Sequence, residues 1–165
     1  TGIVISSLGH ILTASHVVKK AKLLEIRDIN GNKFNAKLIL DDPNTDLAII
    51  KAEIDITPIN ILKDKPKIAS SACLISNSFG LDLGITCGVV SAIGRKNTGF
   101  NKIENFIQTD AAANPGSSGG ALVNKNGELI GMMSGIFTKN TDTNSGVNFA
   151  VSSELILKII KLEIN

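Results

Sequence analysis

The chain has 165 residues, 43% of them hydrophobic and 19% charged, with a formal net charge of +2. That length fits one domain, or two small subdomains sharing a cleft, and the composition excludes a disordered chain. The charge is too small and too evenly spread to call for nucleic acid, and no apolar run approaches the ~18 residues that cross a membrane as a helix.

The core must be aliphatic, because Trp and Tyr are absent and Phe occurs only six times. In chain order, short β-branched runs broken by turn residues predict strands over 2–6, 10–13, 23–28, 33–41 and 47–51. Further strands are predicted over 72–76, 86–93, 106–109, 121–123, 129–134 and 148–150. "DINGNKF" and "NKNGELI" read as hairpins, with Asn-Gly suited to a type I′ turn. One helical turn is expected over 16–20. A longer helix is expected over 152–162, with serine caps and apolar Leu155, Ile156, Ile159 and Ile160. Many short strands and one terminal helix predict an all-β fold of barrels or a sandwich.

Three stretches resist a plain hairpin reading: 77–84, 95–105 and 137–146. All are rich in Gly, Asn, Ser and Thr, a composition typical of loops that carry function. Cys73 and Cys87 form no metal-ligand pattern. They could meet across a hairpin, but two buried free thiols are the expectation. Lys19, Lys20 and Lys22 read as a solvated face.

The chemistry concentrates in "NPGSSGGAL", residues 114–122, where Gly116, Ser118 and Gly120 spell G-x-S-x-G. That pattern can hold a nucleophilic serine at a tight corner. A serine nucleophile needs a base within hydrogen-bond reach and an acid to orient the base. His10 and His16 are the only histidines, and both precede Ser118. The α/β-hydrolase order (serine, acid, histidine) is therefore excluded. The subtilisin order (aspartate, histidine, serine) also fails, since the first aspartate, Asp28, follows both histidines. The order histidine, aspartate, serine survives.

His16 ends the apolar stretch "ILTASHVV", where a strand and a helical turn can fix an imidazole. His10 follows the turn "SSLG" and is expected to face solvent. Among Asp41, Asp42 and Asp46, the last directly precedes the apolar run Leu47–Ile50 and can be partly buried against a histidine. The segment Gly116, Ser117 and Ser118 is the candidate oxyanion hole, with the Gly116 and Ser118 amides as donors.

The segments "ILTASHVV", "DPNTDLAIIK", "NSFGL", "GVVSAIGR", "ENFIQTDAAANPGSSGGALVNKNGELIGM" and "GVNFAVSS" resemble, in order and over nearly the whole chain, the HtrA/Deg branch of trypsin-like serine proteases. The resemblance implies two six-stranded antiparallel β-barrels with a cleft between them. The first would span about 1–67, the second about 68–151 and a terminal helix 152–165. The first barrel is expected to lack its opening strand, and the PDZ domain common in the family is expected to be absent. A homotrimer or a PDZ domain belongs to the full-length expectation.

By the same resemblance the protein is an ATP-independent endopeptidase of a bacterial periplasm or envelope, acting on unfolded polypeptides through His16, Asp46 and Ser118. No metal or organic cofactor is called for. Ala112, six residues before Ser118, would floor the substrate pocket, with Met133, Ser134, Ile136 and Val147 on its walls. That lining implies small or medium aliphatic P1 residues. Asp110 would fix a loop rather than bind a basic side chain. The stretch 95–105 resembles a sensor loop, and 109–116 and 137–146 resemble activation loops, which implies an oxyanion hole unformed at rest. The sequence departs from the family pattern at Ser117, usually Asn, and at Ser78, usually Pro. The alternative reading is a catalytically silent module of this fold that holds non-native chains without cutting them.

Overall fold

The computed structural model describes residues 1–136 and 145–163. Among them the strands are β1 (Ile3–Val4), β2 (His10–Ala14), β3 (Leu24–Arg27), β4 (Lys33–Asp42), β5 (Leu47–Ala52) and β6 (Ser71–Ser76). They continue as β7 (Gly84–Arg95), β8 (Phe106–Thr109), β9 (Ala121–Val123), β10 (Leu129–Ile136) and β11 (Asn148–Ser152). The helices are α1 (Ser15–Val18) and α2 (Ser153–Glu163), and a 3₁₀ turn covers Ser78–Gly80.

The strands divide into two antiparallel sheets. The first runs β1-β2-β5-β4-β3 and stays open; the second closes as β10-β11-β8-β7-β6-β9. The architecture is the all-β one expected: the second unit is a closed six-stranded barrel, and the first is a five-stranded open sheet, as a barrel short of its opening strand would be. Its concave face borders a cavity of about 940 Å³ whose lining includes Val4, Ile11, Leu24 and Ile50. β2 and β5 are its spine, paired from His10↔Lys51 to Ala14↔Leu47. Their continuous apolar runs fit strands covered on both faces. Leu12, Leu47 and Ile49 pack into one core with Phe106, Met132 and Val151 of the second sheet. That shared core holds the two sheets in fixed relation and so fixes the cleft between them.

α2 is capped as its sequence suggests, with the Ser152 hydroxyl accepting the Leu155 amide. Leu155 and Ile156 enter the shared core and Ile159 and Ile160 lie against it, as the 3.6-residue period requires.

Three local readings need correction. In both Asn-Gly hairpins only the glycine has positive φ, 85° at Gly31 and 75° at Gly127. Gly31 donates to the Asp28 carbonyl and Gly127 to that of Asn124, so each is a tight turn closed by a left-handed glycine rather than type I′. The cause is the residue opening each turn. The Asp28 carboxylate accepts the amides of Asn30 and Asn32, and the Asn124 side chain accepts those of Asn126 and Glu128. His10 is buried at 8% exposure, with Nδ1 2.7 Å from the Ser6 hydroxyl. It begins β2 opposite Lys51 of β5, where burial and the charge of Lys51 hold its pKa down. Finally, Cys73 and Cys87 are not free thiols. They lie directly opposite on β6 and β7, with Cα atoms 4.0 Å apart, and form a disulfide.

Candidate active site

His16 sits on α1 at the end of β2. The Ser15 amide donates to the Asp46 carbonyl and the Ser15 hydroxyl to the Asp41 carboxylate, which ties this helical turn to the end of β4 and to the loop that follows it. Asp46 directly precedes β5, with φ of 60°, in the left-handed region that a side chain normally avoids. This conformation is held by its contacts. The carboxylate takes the His16 backbone amide at 3.0 Å, the His16 ring Nδ1 at 2.9 Å from both oxygens, and the Ser134 hydroxyl at 2.6 Å.

On the other side of the ring, His16 Nε2 lies 2.9 Å from Ser118 Oγ. With Nδ1–H donating to the carboxylate, Nε2 carries the lone pair and faces the hydroxyl hydrogen. The hydrogen bond to Asp46 raises the His16 pKa above its ordinary value, against the opposing effect of partial burial. Burial pushes the Asp46 carboxyl upward. The hydrogen bonds from the His16 ring, Ser134 and the His16 amide together outweigh it and hold the pKa below the ordinary value.

The loop 95–105 lies against the same aspartate. The Glu104 carboxylate accepts the amides of Thr98, Phe100 and Asn101 and the Thr98 hydroxyl. The gathered loop then grips the chain just before Asp46. The Asn101 side-chain amide donates to the Thr45 carbonyl at 3.1 Å, and the Ile103 amide donates to the Asn44 carbonyl. Phe100 anchors it on Phe106 and Phe149.

Ser118 follows Gly116, whose φ of 95° suits glycine alone. The Pro115 carbonyl accepts the Phe79 amide at 2.8 Å. In a trans peptide the N–H points opposite to the carbonyl, so the Gly116 amide is turned away from Phe79. Among the described residues neither the Gly116 nor the Ser118 amide has a protein acceptor. Phe79 thus holds the Pro115 carbonyl on its own side of the turn, opposite to the Gly116 amide. Ser117 is different. Its amide donates to the Asn114 carbonyl, and its hydroxyl, in a residue 1% exposed, bonds inward to Ser76, Ser78 and the Asn114 amide. Ser117 is therefore neither near His16 nor a free oxyanion donor.

The expected pocket residues separate. Ala112 is half-buried, and its carbonyl accepts the Thr86 hydroxyl. Met133 is 1% exposed in the core of the second barrel, and Val147 packs half-buried against the shared core. Ser134 has its hydroxyl on Asp46. Ile136 ends β10, paired with Asn148. Asp110 accepts the Val89 amide, a loop-fixing contact. The stretch 137–146 lies outside the described residues as far as 144. Sequence reasoning missed the roles of Ser134 and Asn101, since a serine after two methionines and an asparagine in a polar loop carry no local signal. It also missed the Phe79 amide, a backbone contact no side chain advertises.

This arrangement can move a proton from a hydroxyl to an imidazole while a carboxylate fixes the ring. It contains no cluster of His, Cys, Asp or Glu able to hold a metal among the described residues.

The trypsin-like peptidase domain family matches residues 1–132. The chain is 39% identical over 160 residues to the periplasmic serine endoprotease DegP of Salmonella typhimurium, covering 94% of this chain and 34% of that protein. It is 40% identical over 159 residues to the periplasmic pH-dependent serine endoprotease DegQ of Escherichia coli, covering 94% and 35%. It thus spans about a third of the length of these curated relatives. Among solved structures, the HtrA-type protease AlgW with a decapeptide superposes with a TM-score of 0.93 at 37% identity, over 99% of this chain and 50% of that one. The serine endoprotease from Yersinia pestis superposes with a TM-score of 0.84 at 37% identity, over 99% and 56%. The chain belongs to the trypsin-like peptidase family, in its HtrA/DegP branch.

Proposed function

We propose that the protein is a serine endopeptidase that hydrolyses unfolded polypeptides through an acyl-enzyme, with His16, Asp46 and Ser118 as its catalytic groups. One observation carries the reading: the unbroken hydrogen-bond chain from Ser118 Oγ through the His16 ring to the Asp46 carboxylate. His16 Nε2 takes the proton as Ser118 Oγ bonds to the substrate carbonyl carbon. The displaced electron pair rests on the carbonyl oxygen, facing the Gly116 and Ser118 amides. On collapse the C–N bond breaks and His16 returns its proton to the leaving amine. Water repeats the sequence on the ester and frees Ser118.

An alanine at 112, where the resemblance puts the pocket floor, and aliphatic residues at Met133, Ile136 and Val147, where it puts the walls, support small or medium aliphatic P1 residues; position 112 offers no acid to Lys or Arg. Such a pocket discriminates by only about 1–3 kcal/mol per methylene, so specificity is broad. The names of the relatives support a periplasmic setting and a longer parent protein, with a PDZ domain or homotrimer as part of that reading.

The test is incubation with an unfolded casein-like substrate beside the Ser118→Ala and Ser117→Ala variants, together with fluorophosphonate labelling located by mass spectrometry. Cutting and labelling at Ser118, lost in Ser118→Ala alone, support the enzyme. Suppressed aggregation without cutting by any of the three proteins replaces it with the chaperone reading.

A further inference from the structure

Ser78 and Ser117, the two departures from the family pattern, touch each other. Their hydroxyl oxygens are 2.9 Å apart, and Ser76 completes a triangle at 3.2 Å from Ser117 and 3.3 Å from Ser78. We propose that Ser78 and Ser117 are matched positioning residues, whose hydroxyl triangle latches the turn 114–118 in the shape that presents the Gly116 and Ser118 amides. This rests on the hydrolytic reading given above and deepens it.

The donor count fixes the direction of the triangle. A hydroxyl has one hydrogen and two acceptor sites. Ser117 Oγ accepts the Asn114 amide at 3.0 Å and the Ser76 hydroxyl. Its own hydrogen is left for Ser78, and Ser78 can return one to Ser76. Each oxygen then donates once around a closed ring, and Ser76 and Ser117 are buried, at 5% and 1% exposure. Ser78 is half-buried, and a ring with two buried corners and every hydrogen placed is costly to open, since its neighbours lose their partners too.

The ring acts on the turn from one side while the next residue acts from the other. Ser78 is followed by Phe79, whose amide holds the Pro115 carbonyl. Phe79 has φ of 58°, so the 78–80 turn keeps an unfavourable shape that its contacts must sustain. Ser117 in turn clasps the Asn114 amide, closing the turn that contains Gly116. Thus one short segment grips both the peptide before Gly116 and the side chain after it. Turning the Pro115–Gly116 peptide over would require both grips to release. Neither serine touches His16 or Asp46, so the latch acts on the oxyanion side of the site and leaves the base unchanged.

The experiment compares the parent with Ser78→Ala, Ser117→Ala, the double variant and Ser78→Thr, which keeps the hydroxyl. It measures kcat and KM on a peptide substrate, the rate of fluorophosphonate labelling, the pH dependence, and hydrogen exchange of the 114–120 amides. Each alanine variant should lower kcat and labelling by about 3- to 10-fold, the worth of a hydrogen bond. KM should stay within about twofold, as when a transition-state contact is lost, and the pH dependence should not move. The double variant should be no worse than the poorer single, Ser78→Thr should match the parent, and Ser78→Ala should speed exchange at 114–120.

Alanine variants equal to the parent, losses that multiply in the double, a shifted pH dependence, or Ser78→Thr as impaired as Ser78→Ala would each overturn the latch. A parent that neither labels nor cuts would sink the hydrolytic reading instead. Exchange then decides the latch alone: faster in Ser78→Ala upholds it, unchanged overturns it.

Discussion

The Ser134 hydroxyl donates to Oδ2 of Asp46 across 2.6 Å, so β10 of the second sheet supplies a hydrogen bond to the carboxylate just before β5 of the first. Its removal has a defined pH signature. Asp46 has a lowered folded pKa, so its stabilising contribution is present above the unfolded value, about 3.8, and fades as pH falls through the folded value. Ser134→Ala shrinks the lowering. The variant should lose about 1–3 kcal/mol at pH 7, the range for a hydrogen bond to a charged group. The gap to the parent should narrow below about pH 3. Urea unfolding at both pH values measures it, and a gap that does not narrow contradicts the assignment.

The His16–Asp46 pair sets the acid limb of activity. Only neutral His16 accepts a proton, and its pKa is raised from 6.5, so kcat/KM should climb through an apparent pKa above that value. Asp46→Asn removes the hydrogen bond to the carboxylate that raises it. The limb should move to lower pH, and kcat should fall by roughly 10,000-fold as the ring loses its tautomer and orientation. A pH–rate profile of parent and variant reads both effects. An unmoved limb would show that Asp46 does not govern the ring.

Glu104 binds three backbone amides of the 95–105 loop, and the loop in turn holds the carbonyls of Asn44 and Thr45. Glu104→Ala should free that loop and lower kcat by about 3- to 30-fold through Asp46, with a loss of about 1–3 kcal/mol in stability. Asn101→Ala should give a smaller loss of kcat with nearly parental stability. Steady-state kinetics with thermal melts separates the two. Parental kcat in both variants would show that the loop does not steady Asp46.

The Cys73–Cys87 disulfide closes a loop of sequence separation 14. Chain-entropy reasoning gives such a crosslink about 3 kcal/mol, and replacing both cysteines by serine should cost about that much. Reductant should lower the parent's melting temperature and leave the double variant unmoved. Equal melts with and without reductant would argue that the thiols are not joined in solution.

The fold was legible because each strand carries its own local signal. The short apolar runs of β8, β9 and β10 and the turn residues between them mark their edges without reference to partners. The Asn-Gly turns misled because Asp28 and Asn124 compete for the local amides, and side-chain competition of that kind is not visible in a two-residue motif. Cys73 and Cys87 could be bonded only if the β6–β7 register placed them face to face, and register is a property of the pair rather than of either strand. At the site, chain order left one triad arrangement, because both histidines precede Ser118, and local context then named its members: the apolar stretch ending at His16, the apolar run after Asp46 and the G-x-S-x-G pattern at Ser118. The contacts of Ser134, Asn101 and Phe79 span tens of residues, and nothing local encodes a partner at that distance.

The imidazole and the hydroxyl that it faces are 102 positions apart in the chain and belong to different sheets. A nascent polypeptide emerging with its first sheet complete therefore possesses a base and its carboxylate but nothing for them to activate. The hydrolysis proposed above needs the second sheet as well, docked through the shared core. Any loosening that parts the two sheets separates the base from the hydroxyl it faces.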